Sequence, residues 1–497
     1  MRWKWIVGIG VLLIIILIAG IYVYLHTYDY NKLKPLVARM VEDATGRELH
    51  LGGEINLAVG FAPSLVVTDV AFANAAWGSQ PQMIKIRRLE AQVRLIPLLF
   101  KNMELKHIGL ADVDVLLETD SKGQGNWDFT GVHRSQKSFG FFETAKLDID
   151  SIRIENLSLV FRKGKDGSEK RFTVARLDVV KQATGDEQKL DLRTEYKGQP
   201  AVFTGRTGLI RNLFAHRRFP LQLSGKLANT AVMINGEIDD ALNIQGIDAE
   251  IRLTGKNLEV LGHVFDIQLP KTKAFDVTAH LKGSKDSMRL DQIKGSLSGS
   301  GVDIAISGTL DNLIAFSGVD LKLKSSGHDL TVIQSVIGEK LPATDQFEIQ
   351  GRLTGSAEAL ALNEAQGSAR RGSMSLTFSG RIARLLTFEG IHLTLKASGK
   401  EVAEIGQMVE TKLPELGPFD ASGQLSGSAK AISLSAFSAV IDQSDFKGLA
   451  KVEFFKRPKI TLRLESSLID FTALMKTLEK DEQRTVNHNQ HKRRLFS

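Results

Sequence analysis

Several groups of side chains in this chain could do chemistry, but their spacing argues against it. Asp112 and Asp114 form one pair of carboxylates, and Asp148 and Asp150 form another, each with the spacing of groups that could share a proton or hold a metal ion. Each pair alternates with apolar residues, and on a β-strand this alternation places both carboxylates on one face. We therefore expect both pairs to lie on a solvated outer face.

Histidine, serine and glycine motifs are equally weak. The histidines that could ligate a metal are His107, His263, His328 and His392. Their separations do not match metal-ligand spacings. The segment Gly295–Gly299 has leucine where a nucleophile elbow needs serine. No phosphate loop or dinucleotide fingerprint occurs, and cysteine is absent. We expect no enzymatic activity, no cofactor and no metal site.

Composition limits the remaining classes of protein. With 497 residues, the chain is too long for one compact core, so several modules or a repeat array are expected. Its 43% apolar and 24% charged residues are ordinary for a folded protein. The net charge of +7 is small for this length and gives no support for nucleic-acid binding.

The N-terminus predicts a membrane anchor. Arg2 and Lys4 precede the uncharged run Ile6–Leu25, which is long enough to span a bilayer as a helix. A cleaved signal peptide is the alternative, but its apolar region would be shorter and would end at small residues. The positive-inside rule places the first residues in the cytoplasm and the rest across the membrane, which in a bacterium is the periplasm. An amphipathic helix with Asn31 as its cap and Gly46 as its stop should follow and dock on a sheet, or else lie along the membrane.

A pattern that recurs every 72 residues dominates the second half. Glycine stands at positions 246, 318 and 390, and phenylalanine at 275, 347 and 419. Each copy predicts one strand, a short helix and three further strands, and every strand has one apolar side. Such self-similarity is typical of a stacked repeat architecture. The predicted fold is mainly β: an elongated, curled antiparallel sheet with short helices, after one transmembrane helix.

The repeat has more apolar surface than its own helix can cover. Four strands of about six residues make a patch of roughly 400 Å², whereas a helix of about ten residues covers roughly 150 Å². The rest must meet a second sheet, curl onto itself or hold an apolar ligand. The residues predicted to contact lipid are Ile251, Val277, Ile304, Leu323, Ile349, Leu376, Leu395 and Ala421.

Several segments resemble the AsmA family of bacterial envelope proteins. They include residues 33–37, 44–47, 76–78, 94–99 and 125–129, beside the N-terminal anchor. The resemblance implies a single-pass protein of the bacterial inner membrane with a long periplasmic β-groove of the bridge-like lipid-transfer type. It also implies a part in moving phospholipid to the outer membrane or in outer-membrane assembly, and it brings no catalytic residues. Similar proteins continue beyond a segment like Arg494–Ser497.

These observations predict an organisation and a function. The predicted parts are a cytoplasmic segment 1–5, an anchor 6–26, an AsmA-like module 27–240, three repeats over 246–458, and a partial fourth repeat with a polar tail over 459–497. The predicted partners are a phospholipid or another acyl-chain lipid, the inner membrane, and an outer-membrane or envelope protein. The alternative is a structural or assembly factor for outer-membrane proteins with a closed β core. Lipid identity, direction of movement and energy source stay open.

Overall fold

The computed structural model describes the chain in eleven segments. They are residues 2–58, 63–94, 104–129, 148–164, 167–183, 186–265, 274–299, 301–334, 341–408, 413–454 and 459–470. Residues 471–497, which hold the end of the predicted fourth repeat and its polar tail, lie outside them. The described chain is mainly β, as predicted, and it divides into a first unit, Met1–Gly246, and a second unit, Ile247–Ser497.

The first unit begins with two helices. Helix α1 (Arg2–Thr27) is followed by a 3₁₀ turn η1 (Tyr30–Leu33) and helix α2 (Lys34–Thr45). Gly46 ends α2 in a left-handed conformation with φ 68°, as predicted. Asn31 is not the cap: Asp29 accepts the hydrogen bond from the Asn31 backbone N–H instead. Among the side chains that the structure describes, no helix offers a stretch long and apolar enough to cross a membrane.

Eleven strands form the sheet of the first unit. They are β1 (Leu49–Leu51), β2 (Ile55–Ala58), β3 (Ser64–Ala73), β4 (Gln82–Val93), β5 (Glu104–Glu118), β6 (Asp148–Arg162), β7 (Glu169–Lys181), β8 (Glu187–Tyr196), β9 (Gln199–Gly208), β10 (Phe219–Leu227) and β11 (Thr230–Asp240). A short helix α3 (Ile210–Phe214) follows β9, and its Ile210 packs on Ile149 and Val179.

One pairing in this unit departs from the predicted antiparallel sheet. Strands β5 and β6 run parallel and in register over their whole length, from Glu104 beside Asp148 to Glu118 beside Arg162. A parallel pair needs a long connection to return the chain to the same end, and residues 119–147 supply one. The sequence signals for short turns could not show this crossover.

The second unit repeats one arrangement. Its strands are β12 (Gln245–Gly255), β13 (Ala274–Ser284), β14 (Ser287–Gly299), β15 (Val302–Asn312), β16 (Ser317–Gly327), β17 (Gln346–Ser356), β18 (Leu360–Arg371), β19 (Met374–Arg384), β20 (Glu389–Gly399), β21 (Phe419–Ser428), β22 (Ala431–Ile441), β23 (Ser444–Glu453) and β24 (Lys459–Glu465). Each strand pairs antiparallel with the next. Its helical segments are α4 (Glu259–Phe265), η2 (Leu330–Ile333) and α5 (Ala403–Met408).

The 72-residue spacing extends to the backbone angles. Strands β12, β16 and β20 share identical bounds after a shift of 72. The glycine at their second position has φ 66°, 68° and 65°, a left-handed conformation that explains why glycine recurs there. The third strand of each repeat carries a β-bulge at a residue with positive φ, namely Gln292, Glu364 and Ala436. Each repeat is therefore the same local structure.

Candidate functional site

Strand pairing brings the eight predicted lipid-contacting residues onto one face of the second unit's sheet. Residues that pair across antiparallel strands share a face, and so do alternate residues along one strand. Val277 is paired with Gly295, and Gly295 with Ile306. Ile306 in turn is paired with Leu323. Further pairings of the same kind extend this face from Ile251 on β12 to Ala421 on β21. We call this surface the apolar face.

The apolar face is covered at one end by the short helices. In the second repeat, Leu330 and Val332 of η2 pack against a cluster of Val302, Phe347 and Ala369. One repeat later, Val402, directly before α5, is buried with Met374 and Phe419, and Ile405 of α5 packs against the same cluster. In these two repeats, the helical segment thus covers the end of the strands that carries the recurring phenylalanine.

The opposite end is closed by the strands' own side chains. Ile293, Leu310 and Val319 form one buried cluster there, and Leu362, Ile382 and Ile391 are the core of the next. Leu385 and Phe388, from the turn between β19 and β20, pack onto the second cluster. Among the described residues, these clusters at both ends of the apolar face are therefore buried without a facing layer of strands.

The middle of the apolar face is less covered than its ends. On β19, Met374 and Ile382 at the two ends are 4% and 8% exposed, whereas Leu376 between them is only half-buried. On β16, Val319 and Ser325 are buried and Leu323 is half-buried. All eight predicted residues have this intermediate burial. In the clusters that the described residues form, the packing partners lie on neighbouring strands, on short helices or in the loops that join them.

The other side of the sheet is charged and carries ion pairs between neighbouring strands. Arg252 pairs with Asp276 at 2.5 Å (Nη2–Oδ2), and Arg352 pairs with Asp320 at 2.5 Å (Nη2–Oδ2). The hydrogen bond from Arg352 holds the pKa of Asp320 below its usual value. Two depressions of ≈ 570 and ≈ 440 Å³ share Glu348: the smaller is lined mainly by polar side chains, whereas the lining of the larger is mainly apolar and includes Phe275 and Leu297 of the apolar face. Ile304, one of the eight residues predicted to contact lipid, also lines the larger depression.

The predicted surface carboxylates have surface partners. Asp112 forms an ion pair with Arg87 and accepts a hydrogen bond from Asn156 Nδ2 at 2.9 Å, and Asp114 is exposed. Asp150 pairs with Arg94, with 2.5 Å between Oδ2 and Nη2. The side chain of Asp148 lies outside those that the structure describes.

The histidines do not come together, and Gly295–Gly299 lies within strand β14. His107 Nδ1 lies 2.9 Å from Ser151 Oγ, and His392 Nδ1 lies 3.1 Å from the Gly390 carbonyl. Among the described residues, no three His, Asp or Glu side chains are grouped as metal ligands.

The first unit contains a buried polar cluster that the sequence patterns did not predict. Glu118 is 3% exposed, and its Oε1 accepts hydrogen bonds from Asn74 Nδ2 at 2.6 Å and from the Ser79 N–H at 2.9 Å. Asn126 is fully buried; its Nδ2 donates to Asn74 Oδ1 at 2.9 Å, and its Oδ1 accepts from the Glu118 N–H at 3.0 Å. Burial raises the pKa of Glu118, but the hydrogen bonds from Ser79 and Asn74 outweigh it and leave that pKa lowered.

This cluster ties two loops to the end of strand β5, so its role is structural. The one sequence signal for it was the resemblance of segments 76–78 and 125–129 to a known family. Segment 94–99, which carries the same resemblance, lies outside the described residues after Arg94.

Together these features define a repeat-built β-sheet protein with one apolar and one charged face. The chain belongs to the AsmA family, whose family model matches residues 2–494. It is similar to the AsmA family protein YhjG of Escherichia coli (strain K12), with 23% identity over 296 residues. That match covers 52% of this chain and 42% of the relative, so the chain spans less than half of that protein's length. No solved structure matches the chain.

Proposed function

We propose that this protein is anchored in the bacterial inner membrane and carries phospholipid towards the outer membrane along its apolar face. The half-buried middle of that face, between two buried ends, is the observation that carries the proposal. Membership of a family of envelope proteins and the repeated β-strands support it. The uncharged run within residues 6–26 supports the anchor, with the N-terminus in the cytoplasm and the bulk of the chain in the periplasm.

The proposed mechanism needs no chemical step. The acyl chains of a lipid lie along the middle of the apolar face, while the polar headgroup stays in water. Transfer of apolar surface out of water is favourable by about 25 cal/mol per Å², so an apolar strip is sufficient to hold the chains. Repetition of the strip every four strands lets a lipid move from one repeat to the next without meeting a different environment.

Native mass spectrometry of gently purified protein tests the proposal. We expect bound phospholipid in the unmodified chain and its loss in the double variant Ile304→Asp with Leu376→Asp, because charges in the middle of the face repel acyl chains. The matched control is Ala305→Asp with Thr377→Asp, which places two aspartates at exposed positions next along the same strands, on the charged face.

Two results would contradict the proposal. One is an unmodified protein that is consistently free of lipid, and the other is equal lipid loss in both double variants. Photo-crosslinkers at Val277 and Leu323 separate the alternatives further. Adducts with lipid favour the conduit, whereas adducts within the chain favour a structural or assembly factor with a closed core.

A further inference from the structure

Helix α2 docks on the sheet with a side that is not its apolar side. Ala38, Val41 and Thr45 are partly buried where the helix packs against β1. The most apolar residues, Leu36, Val37 and Met40, are 55%, 37% and 45% exposed. At 3.6 residues per turn, the exposed stripe is centred roughly a third of a turn away from the docked side. The expectation that the apolar stripe covers the sheet is therefore wrong for these three residues.

The orientation of α2 is fixed from its N-terminal side. Tyr30, in the turn before the helix, packs against the cluster of Ile55, Val67 and Val70. The Ile55 N–H donates a hydrogen bond to Asn31 Oδ1 at 3.1 Å, which joins the same turn to strand β2. Because both contacts lie directly before the helix, they fix the orientation of the exposed stripe relative to strands β1, β2 and β3.

We infer that the exposed stripe of α2 lies on the outer surface of the membrane that holds α1. This inference rests on the proposed anchor. Six residues separate α1 from α2, and six residues span at most about 21 Å. Tyr22 and Tyr24 near the end of α1 are exposed and are of the type that prefers the membrane interface. An amphipathic helix so close to a bilayer buries its apolar stripe at the boundary of headgroups and acyl chains.

The charges around the helix indicate what kind of lipid surface it contacts. Residues 28–45 contain three acidic and three basic side chains, namely Asp29, Glu42, Asp43, Lys32, Lys34 and Arg39. Because these balance, attraction to anionic headgroups does not drive the contact. The stripe therefore contacts neutral and anionic bilayers alike, and the contact holds strands β1, β2 and β3 at the membrane surface.

The absence of cysteine makes the test direct, because each introduced cysteine is the single labelling site in the full chain. We would place a fluorophore at Leu36→Cys or Met40→Cys, with Glu42→Cys as the control on the exposed polar side of the helix. A label at Ile16→Cys reports on the anchor. Each chain is reconstituted singly in phosphatidylcholine nanodiscs that contain a lipid-borne quencher.

We expect quenching at positions 36 and 40 to exceed that at position 42 by about threefold, with position 16 quenched as well. Replacing a third of the phosphatidylcholine by phosphatidylglycerol should change none of these values. Equal quenching at 36, 40 and 42, with 16 quenched, overturns the inference and leaves the proposed anchor standing. Loss of quenching at all four positions overturns both. Disulfide crosslinking between unlabelled Met40→Cys chains in phosphatidylcholine vesicles, with no quenching of the labelled variant in nanodiscs, would assign the stripe to a second copy and also overturn the inference.

Discussion

The two units of this chain build their sheets from similar hairpins but stabilise them differently. In the second unit, each repeat buries the recurring phenylalanine, a short helix packs near it in the second and third repeats, and the recurring glycines and bulges follow one period. The first unit has apolar clusters too, around Ile55 and around Ile149, and adds a buried polar cluster in which Glu118, Asn74 and Asn126 join two loops to a strand end. A repeated apolar pattern is visible in a sequence, whereas a single buried polar cluster is not.

The largest expected effect is in the second unit. Phe347 is 2% exposed and packs between Val302, Ala369 and the residues of η2. Phe347→Ala should destabilise its repeat by about 3–5 kcal/mol, because it removes a large buried side chain and leaves a cavity. Hydrogen exchange should quicken in the second repeat and in the adjoining strand β15, which carries Val302, since repeats contact only their neighbours. Phe275→Ala and Phe419→Ala should act alike in their own repeats; three unlike effects would contradict the equivalence of the repeats.

The polar cluster of the first unit should be the next most sensitive. Asn126→Ala removes three buried hydrogen bonds, to Asn74, Glu118 and Leu116, at a cost of about 3 kcal/mol. Exchange should rise in β3 and β5 and stay unchanged in the second unit. The control is Gln366→Ala, which removes an exposed hydrogen bond to Gln350. If both variants behave alike, the cluster does not stabilise the first unit.

A glycine in the second unit gives an intermediate effect. Gly380 has φ 146°, and a Cβ there would stand 2.0 Å from the His392 carbonyl oxygen. Gly380→Ala should therefore cost about 2 kcal/mol in strain. Gly198→Ala is the control, since its φ is 74° but the space around it is open. Chemical denaturation should show a smaller loss of unfolding free energy for Gly198→Ala than for Gly380→Ala. An equal loss would mean that the positive φ alone causes the effect, without the close contact to His392.

The Glu118 carboxylate should make the first unit sensitive to acid. Its pKa is lower in the folded chain than in the unfolded chain. Its contribution is therefore present above the unfolded pKa and is lost as the pH falls through the folded pKa. Hydrogen exchange of β5 should quicken in that acid range, and Glu118→Gln should flatten this dependence. A pH profile that is the same in the variant would exclude Glu118 as its source.

The smallest expected effect is an increase in stability. Ser325 is 7% exposed on the apolar face, and among the described residues its hydroxyl has no hydrogen-bond partner. The position one repeat later is Ala397. Ser325→Ala should stabilise the second repeat by about 1 kcal/mol, because it removes a buried unpaired hydroxyl. Thermal unfolding would show this as a higher midpoint; a lower midpoint would mean that the hydroxyl has a partner.

The sequence predicted the second unit better than the first for physical reasons. Alternation along a strand and a fixed period are local signals, so the strands, short helices and shared face of the repeats followed from them. The third strand of each repeat looked irregular because the bulges at Gln292 and Glu364 shift the alternation by one residue. These bulges are visible in the register of the paired strands and not in the sequence.

Long-range contacts account for what sequence patterns missed. The parallel pairing of β5 with β6 depends on a crossover that no turn motif marks. The docking side of α2 is set by Tyr30 and Asn31, which contact residues more than twenty positions away. Likewise, the partners of Asn126 include Asn74, 52 positions earlier. A pattern read over short windows contains none of these pairs.

The identical bounds of β12, β16 and β20 make the second unit modular in length. Deleting residues 317–388 would place β20 directly after β15, and Ile391 would then meet Leu310 as Val319 does now. Every remaining hairpin would keep its partners, while the sheet would shorten by four strand widths, about 19 Å. Gene duplication or loss of one such block would therefore lengthen or shorten the apolar face by one repeat without a new kind of strand pairing.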